Sequence, residues 1–436
     1  MSKVEPLKTK YLIVGNSAGG IGAAEAIREV DNEGPIIIVS DEPYPSYSRP
    51  LVSKYLARER TLEHMLFRPP EFYSCNNITS LLGKRVTSLG LSDHVAELES
   101  GEHISYEKVL IASGGVPIVP KMEGNNKRGV FTFTSIDDAK AIDDFIKTEF
   151  AFKAVVIGGG LIGISATEAL KKRGVWVTVV EMKDRILNTI LDEQASVMAE
   201  RAFIQAGVDI ITGHTVAEIS GKELARGIVL DNGRELPCSF VIIAIGVSPR
   251  IELARGTEIE VNRGIVVDRH MTTSHPDVYA CGDAAEAFDF VYGTCRLTPI
   301  WPNAYIGGRI AGFNMAGVNT EYPGGTAMNS LNYFGLDIVS AGITIPPADN
   351  GYECLYTQKN GIYQMLVLKD DLIVGMVFVG DIEKSGIVFG LMRDKVKVSG
   401  FKKALLSDNF GLVSLPKEIL YRRLDKDAYE EGVLKR

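Results

Sequence analysis

Twice in this chain a short apolar run ends abruptly in a glycine-rich loop that leads into a helix-like stretch. The first is Tyr11-Leu12-Ile13-Val14, followed by Gly15-Asn16-Ser17-Ala18-Gly19-Gly20. The second is Ala154-Val155-Val156-Ile157, followed by Gly158-Gly159-Gly160-Leu161-Ile162-Gly163. A strand that turns through glycine into a helix offers backbone N–H groups and the positive helix end to a phosphate. One such unit suggests a nucleotide site. Two, far apart in sequence, suggest two dinucleotides on one chain, the arrangement for passing electrons between a nicotinamide and a flavin.

The order of elements after each loop is duplicated. After the first, Ile21 to Val30 carries Ala23, Ala24, Ala26 and Ile27 on one face and predicts a helix. Ile36 to Val39 predicts a buried parallel strand. Lys84 to Glu102 alternates apolar and polar residues as antiparallel strands do. Val109 to Ile111 closes the unit. After the second loop the pattern repeats. A helix is expected over Ile164 to Arg173, a strand over Val175 to Val180, hairpin strands within Val208 to Leu236, and a closing strand over Val241 to Ala244. At 436 residues the chain calls for two or three domains. From about Pro323 alternating apolar strands and a helix from Gly386 predict a separate small α+β domain. The mostly charged tail, Tyr421 to Arg436, reads as a solvated end.

The second loop fits GxGxxG fully. Gly158 permits the tight turn, Gly160 lets the backbone approach a pyrophosphate, and Gly163 lets helix pack on strand. Leu161 and Ile162 open the helix between them. Glu181, about twenty residues on, stands where a carboxylate accepts bonds from a ribose 2′-OH. It favours NAD(H) over a 2′-phosphorylated nucleotide, while nearby Lys183 and Arg185 pull the other way. The first loop is degenerate. Gly15 and Gly20 keep their places, but Ser17 stands at the middle glycine, and Asp41 lies just beyond Ser40 at the end of the next strand.

Taken together, these residues resemble the two-dinucleotide-binding flavoproteins of the pyridine nucleotide–disulfide oxidoreductase superfamily. That resemblance implies an α/β fold with two Rossmann-like domains, the NAD domain inserted in the FAD domain, and a C-terminal α+β interface domain. The implied boundaries are 1–122 and 251–322 for FAD, 123–250 for NAD(H), and 323–436 for the interface. It also implies that the first loop holds FAD. Ala112-Ser113-Gly114-Gly115-Val116-Pro117 and Ile245-Gly246-Val247-Ser248-Pro249 match the turns that return the chain between domains. Cys281-Gly282-Asp283 matches the second FAD fingerprint, in which Gly282 turns the chain and Asp283 binds the ribityl chain. Val86, Ala112, Ser113 and Gly114 fall along the implied FAD site and Gly246 along the NAD site. Trp301 falls in the region that covers the flavin ring, although a plain core tryptophan would look the same.

Sulfur sets the subtype. Disulfide reductases of this superfamily carry CxxxxC beside the flavin, and oxidases and peroxidases a single cysteine. Here the corresponding stretch, Tyr47-Ser48-Arg49-Pro50-Leu51-Val52-Ser53-Lys54, has none. It resembles instead the segment of rubredoxin and ferredoxin reductases and of nitrite reductase flavin domains. Within it, Lys54 matches a lysine placed near flavin N5 and is the implied catalytic residue. Arg49 matches a flavin or pyrophosphate contact, with a loop salt bridge as the alternative. The usual glutamate partner of that lysine is replaced by Ser165, with Glu168 a turn later. With no resident thiol, electrons must leave to an outside acceptor. An iron–sulfur protein (a ferredoxin, a rubredoxin or a partner subunit) comes first. Oxygen reduction by an NADH oxidase and a non-catalytic nucleotide-binding subunit are the alternatives. The Gly380 to Gly386 segment resembles flavoproteins that serve carbon monoxide dehydrogenase, 2-oxoacid or aldehyde oxidoreductase systems.

The remaining features exclude more than they assign. A net charge of −8 argues against nucleic acid. No apolar run reaches membrane-spanning length, and the polar start, Met1 to Lys10, shows no secretory signal, so a reducing cytoplasm is expected. None of the five cysteines forms a CxxC pair and the histidines lack ligand spacing, so no metal site is expected. Cys75 is expected to be buried and inert.

Overall fold

A computed structural model describes residues 7–348 and 350–424. The chain divides into two compact units. One comprises Met1–Val52, Arg60–Val116 and Val247–Thr326; the other Ser53–Glu59, Pro117–Gly246 and Ala327 onward.

The first unit is built on a five-stranded parallel sheet. Its order is Val278–Ala280, Lys108–Ile111, Tyr11–Val14, Ile36–Ser40 and Ile78–Leu82. Tyr11 pairs with Ile36 on one side and Lys108 on the other. Leu12, Ile13, Val109 and Leu110 are fully buried. This is why the strands read as unbroken apolar runs rather than alternating ones. The Ala18–Val30 helix packs its small-residue face on the Trp301–Met315 helix. A side chain at Gly308 would put its Cβ 2.0 Å from the Gly19 carbonyl oxygen, so the two backbones touch directly. Val86–Gly90, Val95–Leu98 and His103–Ser105 form the expected antiparallel strands, extended by Leu7–Lys8.

The second unit repeats the plan. Its parallel sheet runs Val130–Phe131, Phe240–Ile243, Lys153–Ile157, Trp176–Glu181 and Val208–Thr212. Here the sequence reading needs a correction. Val208–Thr212 is not a hairpin strand but the parallel edge, with Val177 opposite Val208. Only Val216–Ser220, Gly227–Leu230 and Glu235–Pro237 make the antiparallel sheet. The pattern misled because an edge strand covered on one face alternates just as a hairpin does.

Residues from Ala327 onward belong to this same unit and contain a five-stranded antiparallel sheet. Its order is Met328–Tyr333, Leu336–Gly342, Leu372–Val379, Ile362–Lys369 and Tyr352–Lys359, followed by the Ser385–Arg393 helix. Phe203 on the Glu193–Gln205 helix packs edge-on against Tyr333 and Phe334, and the Tyr363 hydroxyl donates to Asp192 at that helix's N-cap. The segment 421–436 expected to be a solvated tail lies almost wholly outside the described residues. Among the described residues no helix is long and apolar enough to cross a membrane.

Candidate functional site

The two glycine loops are the same object built twice. Gly15 sits at φ +124° and Gly158 at φ +108°, a region closed to ordinary side chains. A Cβ on Gly15 would lie 2.1 Å from the Ala112 carbonyl oxygen, and one on Gly158 2.4 Å from that of Ala244. Gly20 and Gly163, on the first helical turn, would bring a Cβ within 1.9 and 2.0 Å of the Gly15 and Gly158 carbonyl oxygens respectively. The middle position differs in kind. Ser17 (φ −113°) and Gly160 (φ −80°) are extended N-cap residues of the Ala18–Val30 and Leu161–Lys172 helices, a conformation any residue adopts. Beyond its two chain neighbours, no atom of the described residues lies within 4 Å of a Cβ built on Gly160. The outer glycines are therefore required by the fold, whereas no internal contact requires a glycine at 160. Serine in the first loop breaks no internal rule, and its hydroxyl makes no capping bond.

Around the first loop, Ala112 donates its N–H to the Val14 carbonyl, and the Ser113 hydroxyl donates to the Arg250 carbonyl at 2.9 Å. Gly114 turns at φ +72° with open space about it. Gly282 (φ +70°) starts a short 3-10 turn that carries Asp283. Asp283 has no hydrogen-bond partner among the described residues; burial pushes its carboxyl above the usual range, and the charge of Arg49 works against that shift. Arg49 itself donates to Glu42 at 2.7 Å, the loop salt bridge anticipated as its alternative role. Asp41 accepts from Arg250 at 2.6 Å. Trp301 opens the Trp301–Met315 helix, its ring edge-on to Phe67 at 5.1 Å. Val86 is buried at the start of its strand.

Around the second loop, Glu181 is the last residue of its strand and is buried. One carboxylate oxygen accepts the Gly159 N–H at 2.6 Å and the other the Lys183 N–H at 2.8 Å. Leu161 and Ile162 start the helix, half-buried. Gly246 turns at φ +125°, and its carbonyl accepts from the Ile118 N–H at 2.9 Å.

Lys54 lies on the one-turn Val52–Leu56 helix, in a segment that packs within the second unit. Its ammonium is 3.3 Å from Glu59 and 3.9 Å from Glu168. Glu168 is therefore within reach although the residue at the usual partner position, Ser165, instead shares a 2.9 Å hydrogen bond with the Tyr333 hydroxyl. Lys172 faces the same two carboxylates at 2.7 and 3.2 Å. Hydrogen bonding from Lys172 holds the Glu59 carboxyl below its usual range. The sequence reading placed Glu168 a turn after Ser165 but gave no sign of its pairing with Lys172 or of Glu59, Arg173 or Asp143.

The cysteines divide by burial. Cys238 and Cys281 are buried, their thiols pushed up to about 12 by desolvation, which leaves little thiolate. Cys75 is exposed on the Phe72–Cys75 turn rather than buried as expected. Its neighbour Phe72 takes the core position instead.

The comparisons with known proteins fall on the same two loops. Residues 9–307 match the model of the pyridine nucleotide-disulphide oxidoreductase family. The chain belongs to that family. Residues 328–396 match the rubredoxin NAD+ reductase C-terminal domain. The epsilon subunit of an NADH-dependent phenylglyoxylate dehydrogenase from Aromatoleum evansii is 30% identical over 403 residues, 92% of this chain and 95% of that one. A nitrite reductase [NAD(P)H] from Bacillus subtilis is 28% identical over 91% of this chain, which spans only 48% of that relative's length. The crystal structure of NADH:rubredoxin oxidoreductase from Clostridium acetobutylicum matches with TM-score 0.74 at 28% identity, covering 90% of this chain and 97% of that one. The family uses FAD and NAD(H) in general.

Proposed function

We propose that this protein is an FAD-containing, NAD(H)-dependent oxidoreductase that exchanges electrons with an iron–sulfur protein. The observation that carries the reading is the pair of matching loops, each turning through a positive-φ glycine into a helix N-terminus and each attended by a carboxylate suited to a sugar hydroxyl. The residues fit the groups. Around the first loop, Asp283 is a half-buried acceptor with no hydrogen-bond partner among the described residues, as a ribityl hydroxyl donor would require. Around the second, the space about Gly160 leaves room for a pyrophosphate against the helix N-terminus.

In this reading Gly15, Ser17, Gly20, Ala112, Ser113, Gly114, Gly282 and Asp283 hold FAD, with Val86, Asp41, Arg49 and Trp301 at its margins. Gly158, Gly160, Leu161, Ile162, Gly163, Glu181 and Gly246 hold NAD(H). The corresponding division is 1–122 with 251–322 for FAD, 123–250 for NAD(H), and 323–436 for the interface. Bound flavin supplies the change from hydride transfer to release of single electrons. The chain's own part is to orient the nucleotides and keep charges in place. Glu181 has lone pairs left after its two backbone bonds and accepts from a ribose hydroxyl. Its negative charge disfavours a 2′-phosphate there. The Lys54 ammonium, lying near two carboxylates, favours negative charge on reduced flavin. Burial and high thiol pKa values keep Cys238 and Cys281 out of the electron path.

An iron–sulfur acceptor is supported by relatives named for rubredoxin and for a dehydrogenase subunit. Setting the purified protein with NADH against rubredoxin, ferredoxin and oxygen in turn tests the choice. Faster turnover with an iron–sulfur protein than with oxygen is expected; oxygen reduction at the greater rate would make the protein an NADH oxidase.

A further inference from the structure

The Val52–Leu56 helix that bears Lys54 is a single turn, and an isolated turn does not hold itself in water. Its anchors lie far away in sequence. The Leu56 carbonyl at its end accepts from Arg173 Nη1 at 2.9 Å. The same guanidinium nitrogen is 2.5 Å from Asp143 Oδ1. Asp143 also accepts from Arg58, just beyond the turn, at 3.1 Å, and pairs with Lys147 through its other oxygen. The Arg173 and Asp143 side chains are only 9% and 16% exposed. At that depth an ion pair is far less screened than on the surface, and removing Arg173 leaves Asp143 only its two exposed partners, Arg58 and Lys147. On the near side of the same turn, Lys54 and Lys172 alternate with Glu59 and Glu168 in a four-charge cluster.

One element contributes to both sets of contacts. Glu168 and Lys172 lie on the Leu161–Lys172 helix, and Arg173 is its C-cap. That helix opens at Gly160. A rod of 12 residues, about 18 Å long, therefore runs from the second glycine loop to the segment that carries Lys54.

We propose that Arg173 and Asp143 are positioning residues for Lys54. They clamp the carbonyl end of its one-turn helix and so fix the ammonium between Glu59 and Glu168. The consequence for flavin rests on the reading of Lys54 given above; the clamp on Lys54 does not.

The test uses the flavin-loaded protein as wild type and as Arg173→Leu, Arg173→Lys, Lys54→Met and the Arg173→Leu/Lys54→Met double variant. Two quantities are read. One is the rate at which acetic anhydride labels the Lys54 amine, relative to surface lysines, by peptide mass spectrometry. The other is the midpoint potential of the flavin. Arg173→Leu is expected to label Lys54 several-fold faster than wild type, with Arg173→Lys in between. It is expected to move the potential in the direction that Lys54→Met moves it, and to add nothing in the Lys54→Met background. Wild-type labelling of Lys54 in a folded Arg173→Leu protein overturns the proposal, as does an equal potential shift with and without Lys54. If Lys54→Met leaves the potential unmoved while Arg173→Leu still speeds labelling, the clamp stands and only the flavin role of Lys54 falls. Should Arg173→Leu fail to fold, Asp143→Asn reports the same two quantities with the same expected directions.

Discussion

Gly160→Ala separates what the fold needs from what a nucleotide needs. In the free protein a methyl group at this position meets nothing among the described residues within 4 Å beyond its own chain neighbours, and its φ of −80° suits alanine. Two small terms oppose each other. Alanine is a poorer N-cap than glycine by about 0.5–1 kcal/mol, while its smaller backbone entropy in the unfolded chain favours folding by about 0.4–1 kcal/mol. The net change in stability is therefore within about 1 kcal/mol of zero. A bound pyrophosphate, however, must approach the backbone where that methyl projects. The NADH Kd is expected to rise at least tenfold, about 1.4 kcal/mol. Gly163→Ala is the contrast, because its Cβ would lie 2.0 Å from the Gly158 carbonyl oxygen and so damages folding and binding together. Urea unfolding and NADH titration of both variants give the answer. An unchanged Kd for Gly160→Ala places the pyrophosphate elsewhere. A stability loss well above 1 kcal/mol shows that the open space around it is misjudged.

Other substitutions probe the remaining contacts. Glu181→Ala orphans the Gly159 and Lys183 N–H groups as well as a ribose hydroxyl, each worth about 1–3 kcal/mol when buried. It should weaken NADH binding by about 1–3 kcal/mol and also lower stability in urea; an unaltered Kd removes the ribose role. Asp283→Asn should raise the stability of the flavin-free protein at neutral pH yet weaken FAD retention. The native carboxyl is raised by burial, so the folded state binds its proton more tightly than the unfolded state, and stability falls as pH rises through the raised value. The gain from asparagine should therefore vanish as pH drops into the ordinary carboxylate range; a gain that persists there contradicts the assignment of cause. Lys54→Met should lower the flavin midpoint potential without changing the unfolding midpoint in urea, and an unmoved potential returns Lys54 to the surface.

What the sequence made legible was whatever the backbone demands locally. A glycine at φ +124° or +108° and a second glycine on the first helical turn leave a written mark, because no other residue fits. The unbroken apolar strands announced burial on both faces for the same reason. Ser17 looked like a defect only because the motif does not say which glycine serves the fold and which the ligand. Other features depend on residues brought together from afar. Arg173 and Leu56 are 117 positions apart, and Asp41 and Arg250 are 209 apart. A single charged residue carries no sign of a partner at that distance. Cys75 and Val208–Thr212 were misread for a related reason, since burial on one face or two depends on what the rest of the chain lays over it.

Adding NADH under argon to the purified protein tests the account most directly. The account predicts a yellow protein whose visible flavin absorbance bleaches in proportion to NADH until the flavin is consumed, then returns when an oxidised iron–sulfur protein is supplied. A colourless protein, or a yellow one whose spectrum NADH leaves untouched, would contradict it.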